Sequence, residues 1–279
     1  MSATHRAGAH HASQGSGPGP QPGTQPGTQP GTRRDYLEVR DIRVEFDGFV
    51  AVDGVDLTLL QGQVHFLIGP NGAGKTTVVD ALTGLVHATG LASYDNQNLL
   101  GLPSHAIVRL GIGRTFQTAT VFEELTVLQN LDIAGGVHRR ARDMLRSRRG
   151  VPDYVHRALE TVGLTELADR PAGVLSHGQK QWLEIGMLLV QDAKVMLLDE
   201  PVAGMSADER HETGELLHRI GQERTIVVIE HDMDFVRDFA DVVTVMSAGR
   251  VLAHGTVEEI RANQEVQRVY LGHTVEGTA

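Results

Sequence analysis

Apolar and polar residues alternate from Tyr36 to Phe46, with Leu37 and Val39 in one phase and Ile42, Val44 and Phe46 in the next. The slip falls at Arg40-Asp41, which predicts an antiparallel strand carrying a bulge. Val50 to Leu60 and Gln63 to Ile68 read as further strands, and Lys75 to Thr83 as a helix. A short strand is predicted from Gly111 to Phe116, ending at Gln117. Thr126 to Ala172 has helical spacing, with one helix from Asp153 to Val162 that stops near Gly163. Gln179 to Val190 reads as a helix with Trp182, Leu183, Ile185 and Leu189 on a broad apolar face. Val195-Met196-Leu197-Leu198 is an unbroken apolar run closing on Asp199-Glu200. Ser206-Ala207-Asp208-Glu209 fits a capping box and starts a helix to Ile220. Thr225 to Ile229 and Val242 to Met246 are β-rich. Strands alternating with helices predict an α/β fold with a largely parallel sheet covered on both faces, and a helical insertion before Leu175.

Ahead of residue 35 this patterning is missing. Pro22 to Thr32 repeats Pro, Gly, Thr and Gln, so residues 1–34 are expected to form a disordered tail; they lack the apolar run of a secretory signal. The rest of the 279-residue chain suffices for one large domain. No stretch approaches the ~18 consecutive apolar residues of a membrane-spanning helix. The chain has no cysteine, which excludes disulfides and zinc–thiolate sites and suits a reducing compartment. A net charge of −10 argues against general affinity for nucleic acid. Arg139 to Arg149 holds six arginines and one aspartate, a run read as a solvated face ahead of a docking patch.

The chemistry concentrates in a few stretches. Gly69, Pro70, Asn71, Gly72, Ala73, Gly74, Lys75 and Thr76 match the phosphate-binding pattern G-x-x-x-x-G-K-[ST] between a strand and a helix. Its glycines let backbone N–H groups converge on phosphate oxygens. Lys75 would supply charge to the β- and γ-phosphates of ATP, and the Thr76 hydroxyl a ligand to Mg²⁺. Asp199 and Glu200 end a buried strand, where parallel sheets bind ligands. Asp199 would hold Mg²⁺, and Glu200 is the candidate base for an attacking water. Pro201 follows at once and the next cap is Ser206, so helix capping is the weaker use of this pair.

Between these elements stands Leu175-Ser176-His177-Gly178-Gln179, which resembles the signature of ABC ATPases, commonly Leu-Ser-Gly-Gly-Gln. Phe46, Gly69 to Thr77, Gln117, Leu175 to Gln179, Val195 to Glu200 and His231 fall in the order of that family, over residues 35 to 272. The resemblance implies a P-loop ATPase fold with a RecA-like core sheet, an N-terminal antiparallel β subdomain and a helical subdomain over about 118–178. Residues 273–279 would form a short tail. It also implies roles. Phe46 would stack on adenine, and Gln117 would link Mg²⁺ and water to the membrane partner. His231 would contact the γ-phosphate, and Thr77 would join the ATP-binding loop. Ser176, His177, Gly178 and Gln179 would meet ATP held by a second subunit, where a helix N-terminus favours an anion.

The partners implied are a second ATPase subunit, identical or paralogous, two integral-membrane permease subunits and an extracytoplasmic binding protein. The chain would then act peripherally at the cytoplasmic face of the cell membrane. Arg109 to Gln117 looks like the branched-chain amino-acid and urea importer group. Leu175 to Met187, Asp199 to Met205 and Glu230 to Met233 look like a urea-transporter subunit. Urea is therefore the expected cargo, with branched-chain amino acids or a non-transport role such as iron–sulfur assembly as alternatives. Three departures stand out. His177 replaces a glycine, in a turn that histidine's tolerance of left-handed backbone could preserve. Ser206 stands where relatives carry an aspartate. Leu85 to Asn98 is short and without proline, so irregular pairing is expected there.

Overall fold

A computed structural model describes residues 36–115, 121–138 and 150–275. The N-terminal tail, Gln117 and the Arg139 to Arg149 run lie outside the described residues. The first sheet is antiparallel. It contains β1 (Tyr36–Phe46), β2 (Phe49–Leu60), β4 (Thr89–Tyr94) and β5 (Gln97–Asn98), in the order β2-β1-β4-β5. The bulge sits where the pattern slipped. The β1–β2 register shifts between Val39 and Ile42, and Asp41 takes a left-handed φ of 46° while its N–H donates to Asp56 Oδ1 at 2.7 Å.

The irregularity expected over Leu85 to Asn98 lies where β4 meets β1, whose register shifts between Arg40–Leu91 and Arg43–Thr89, and not in the hairpin that follows. β4 and β5 pair regularly, Ser93 with Asn98 and Tyr94 with Gln97. Asp95 and Asn96 turn the chain with φ of 46° and 62°. Two left-handed residues match the strand twist, and Asp and Asn tolerate that region without proline's help.

The second sheet runs β10-β9-β3-β8-β7-β6. β3 (Val64–Ile68) lies parallel to β8 (Thr225–Ile229) and β9 (Val242–Ser247). β7 (Val195–Asp199) joins β8 to β6 (Ile112–Arg114), also in parallel. Only β10 (Arg250–Gly255) runs antiparallel. Every residue of β3, β7 and β8 is buried. Alternate side chains serve two cores. Phe66, Met196, Leu198 and Val228 face one packed by helices; Leu67, Val195, Leu197 and Val227 face the other, beneath the antiparallel sheet. Burial on both faces explains why these strands read as unbroken apolar runs.

The helices are α1 (Lys75–Leu82), α2 (Ser104–Arg109), α3 (Val127–Ala134), α4 (Asp153–Thr161), α5 (His177–Val190), α6 (Ala207–Gly221), α7 (Met233–Phe239), α8 (Val257–Ala262) and α9 (Gln264–Val275). Reciprocal capping boxes open α3 (Thr126, Gln129), α5 (Ser176, Gln179), α6 (Ser206, Glu209) and α8 (Thr256, Glu259). The cap at Ser176 starts α5 two residues earlier than the apolar spacing predicts. No described helix is long and apolar enough to cross a membrane.

Candidate functional site

The carboxyl ends of β3, β6, β7 and β8 are neighbours, so the loops leaving them meet along one edge of the sheet. β3 delivers Gly69 to Gly74, which turns directly into α1. Gly69 has φ 150°, and a Cβ there would lie 2.2 Å from the Met246 carbonyl oxygen, so only glycine fits. Asn71, Gly72 and Thr76 are exposed at the mouth of the loop, and Thr77 is half-buried behind it. Lys75 folds back over the loop, Nζ donating to the carbonyls of Gly69 at 2.7 Å and Pro70 at 3.2 Å. Burial lowers its pKa from the ordinary value, while the charges of Glu200 and Asp199 act in the opposite sense.

Asp199 closes β7 and is almost fully buried. Burial raises its pKa, opposed by the Arg114 guanidinium, whose Nη2 donates to Asp199 Oδ2 at 3.2 Å. Asp199 Oδ1 is buried and has no hydrogen-bond partner among the described residues. A carboxylate oxygen left so is costly unless a ligand takes it, which fits Mg²⁺, a hard cation that prefers oxygen and keeps few protein ligands. Glu200 follows in left-handed backbone, φ 50°, an unusual conformation for a side chain-bearing residue. Its N–H donates to Ile229 O at 2.9 Å, tying the end of β7 to β8.

From β8 comes His231, largely exposed, with Nδ1 3.4 Å from Glu200 Oε1 and 3.8 Å from Glu230 Oε2. Glu230 is buried, which raises its pKa; the N–H groups of His231, Asp232 and Val202 donate to it and oppose the rise. Asp232 caps α7 and is held by Arg210 Nη1 at 2.6 Å. The structure therefore brings together Lys75, Asp199, Glu200 and His231. Phe46 is exposed at the β1–β2 turn. Gln117 cannot be placed, as it lies outside the described residues.

Ser176 caps α5, its Oγ accepting from the Gln179 N–H at 3.1 Å. The same Oγ donates to Glu209 Oε1 at 3.1 Å, and Ser206 Oγ donates to Glu209 Oε2 at 3.0 Å. One carboxylate thus ties the starts of α5 and α6, and hydrogen bonds from Ser206, then Ser176, lower its pKa. His177 is exposed and is the first residue of α5. It is not among the left-handed residues, so the expectation that this position needs such backbone is corrected: it begins a helix, where any side chain fits. Gly178 is buried against Glu209.

Sequence reasoning passed over Arg114, Asp80, Glu209 and Glu230 as functional residues. Arg114 carried a signal: an arginine in the apolar strand Ile112-Gly113-Arg114 must find carboxylates when buried. Asp80 sits one turn beyond Thr76 on α1.

Comparison with known proteins agrees with this geometry. The family described as ABC transporter matches residues 52–203, and that of the branched-chain amino acid ATP-binding cassette transporter matches residues 250–276. The high-affinity branched-chain amino acid transport ATP-binding protein BraF of Pseudomonas aeruginosa is 40% identical over 251 residues, covering 86% of this chain and 98% of that protein. LivG of Escherichia coli, described in the same terms, is 40% identical over 250 residues, covering 85% and 97%. The crystal structure of an ABC transporter ATP-binding cassette in its ADP conformation aligns with a TM-score of 0.76 and 31% identity, covering 86% of this chain and all of that one. A nucleotide-free cassette aligns at 0.75 with 30% identity, covering 85% and 99%. The chain belongs to the ABC transporter family, as an ATP-binding subunit that hydrolyses ATP with Mg²⁺.

Proposed function

We propose that the chain powers an importer of branched-chain amino acids from the cytoplasmic face of the membrane. Its partners would be a second ATPase subunit, two permease subunits and an extracytoplasmic binding protein. The observation that carries the cargo is the 40% identity over nearly the full length of relatives named for branched-chain amino acids. The match of residues 250–276 to a cassette family of the same description adds to it. The sequence-based expectation of urea has no counterpart among these relatives and gives way to the alternative. Urea stays as the second reading because of the runs Leu175 to Met187 and Asp199 to Met205.

In the mechanism, Lys75 exchanges its bonds to the Gly69 and Pro70 carbonyls for the β- and γ-phosphates. Thr76 and Asp199 Oδ1 would hold Mg²⁺, with Gln117 as a further ligand. The ion held there would supply charge neutralisation to the phosphates. Glu200 orients the attacking water and accepts its proton, and His231, beside it at 3.4 Å, meets the γ-phosphate. Phe46, exposed at its turn, stacks on adenine. Ser176 Oγ gives up Glu209 for the γ-phosphate of the second subunit's ATP, and the start of α5 faces that anion through His177, Gly178 and Gln179.

Uptake of labelled leucine and labelled urea should be measured in cells lacking this gene and again after its return. Restored leucine uptake alone supports the first reading. Restored urea uptake alone replaces it with the second.

A further inference from the structure

Arg114 ends β6 with its side chain only 7% exposed. Its two terminal nitrogens go to different carboxylates: Nη1 pairs with Asp80 Oδ1 on α1, and Nη2 donates to Asp199 Oδ2 at 3.2 Å. Asp80 belongs to the helix that begins with Lys75 and Thr76, and Asp199 to the end of β7. One planar fork therefore bridges the two elements that supply the site's magnesium ligands. The fork engages one oxygen of Asp199 and leaves the other, Oδ1, buried and without a hydrogen-bond partner among the described residues.

A simple structural staple would explain the bridge but not that division of labour. Two aspartates sharing one buried arginine leave a net charge of −1. A carboxylate meant only to neutralise arginine would gain by turning both oxygens to the guanidinium, the bidentate arrangement that fork geometry favours. Here Asp80 takes the second arm instead, and Asp199 keeps an oxygen in reserve.

We propose that Arg114 is the positioning residue of the magnesium site. It holds α1 against the end of β7, so that Thr76 and Asp199 keep a fixed separation, and it commits Asp199 Oδ2 so that Oδ1 serves the cation. This rests on the reading of Asp199 as a magnesium ligand. Asp80 is the counterweight that stops the guanidinium from closing on both oxygens of Asp199.

Mn²⁺ serves as the probe, because its binding to the full chain with ADP can be followed by paramagnetic resonance without turnover. Arg114→Lys keeps the charge and loses the fork. It should weaken Mn²⁺ binding about 10- to 100-fold, the usual effect of removing a group that orients a metal ligand. ADP affinity without divalent cation should stay at the wild-type value. Asp80→Asn, which frees one arm of the fork to close on Asp199, should shift Mn²⁺ affinity in the same direction and keeps the test alive if Arg114→Lys does not fold. Wild-type Mn²⁺ affinity in a folded variant of either kind, whatever its melting temperature, would reduce Arg114 to a staple and overturn the proposal. Asp199→Asn runs alongside. If it too leaves Mn²⁺ binding unchanged, the magnesium reading of Asp199 fails; if it alone weakens binding, only the role of Arg114 does.

Discussion

The nucleotide loop and the signature stretch both face phosphate in the proposed mechanism, yet they are built in opposite ways. Gly69, Asp199 and Glu230 end or follow strands whose residues are buried throughout, so packing on two faces holds their positions. Ser176 and His177 are exposed at the start of α5, held by one helix cap and a shared bond to Glu209. The first region is a site that one chain completes for itself. The second is a surface whose donors have only local partners until another subunit arrives. In the proposed mechanism, an ATPase assembled this way binds ATP alone and hydrolyses it productively only when paired.

Replacing Glu200 should break the first region hardest. Glu200→Gln keeps the shape but cannot take the water's proton, so ATP turnover should fall by about 10²–10⁴-fold while ATP binding persists. Turnover is read from phosphate release and binding from a fluorescent nucleotide. Normal turnover would remove Glu200 from the role of base.

Glycine-to-alanine exchanges sharpen the contrast directly. At Gly69 a methyl group would stand 2.2 Å from a backbone carbonyl that cannot move aside, so Gly69→Ala should cost roughly 2 kcal/mol or more of folding stability. At Gly178 the nearest atom is the tip of Glu209, 2.8 Å away on a flexible side chain. Gly178→Ala should leave stability within about 0.5 kcal/mol, since alanine's helix propensity offsets the displacement. It should still weaken ATP-dependent pairing, because the methyl occupies the anion's approach. Denaturant melts and size-exclusion with ATP separate the two effects. Equal destabilisation at both positions would erase the distinction between them.

The same contrast governs what could be read from the chain. Strands buried on both faces write themselves as apolar runs, and capping boxes as Ser or Thr three residues ahead of Glu or Gln. The strand ending in Asp199-Glu200 and the cap at Ser206 were legible for that reason, and the P-loop by its glycines and lysine; the cap at Ser176 was passed over, so α5 was expected to start at Gln179. Arg114 was not, because its partners Asp80 and Asp199 lie 34 and 85 residues away, and only the fold brings them together. His177 misled through its family position: a glycine is common there, but this backbone is helical and demands none. The hairpin at Asp95-Asn96 shows the reverse, a turn whose chemistry was present while the absence of proline drew attention away from it.

A further difference lies in acid sensitivity, and it belongs to the strand that carries the nucleotide loop. His65 on β3 is buried, its Nε2 2.8 Å from Thr244 Oγ1, which in turn lies 2.9 Å from His254 Nδ1. Burial, with repulsion from His254 second, pushes its pKa down to about 3. The unfolded chain, with histidine near its ordinary ~6.5, binds the proton first. Stability from this residue is therefore intact above pH ~6.5 and is lost as pH falls toward about 3, by up to ~1.4 kcal/mol per pH unit. His65→Gln should flatten that limb between pH 6 and 4. An unchanged slope in urea melts would place the proton elsewhere.

The smallest effect gives the finest division between the two regions. Ser176 and Ser206 cap neighbouring helices in the same way, and both donate to Glu209. Alanine at either position should cost about 1 kcal/mol of stability, the usual loss of a side-chain cap. Their equality in stability isolates function. Only Ser176 stands in the signature, so only Ser176→Ala should reduce ATP-dependent association, measured in the Glu200→Gln background with the second ATPase subunit present. A cap contributes the same wherever a helix begins, whereas a donor to phosphate contributes only where phosphate arrives. If Ser206→Ala weakens association as much as Ser176→Ala, the shared Glu209 tie is what matters for pairing, and the start of α5 loses its separate claim on the anion.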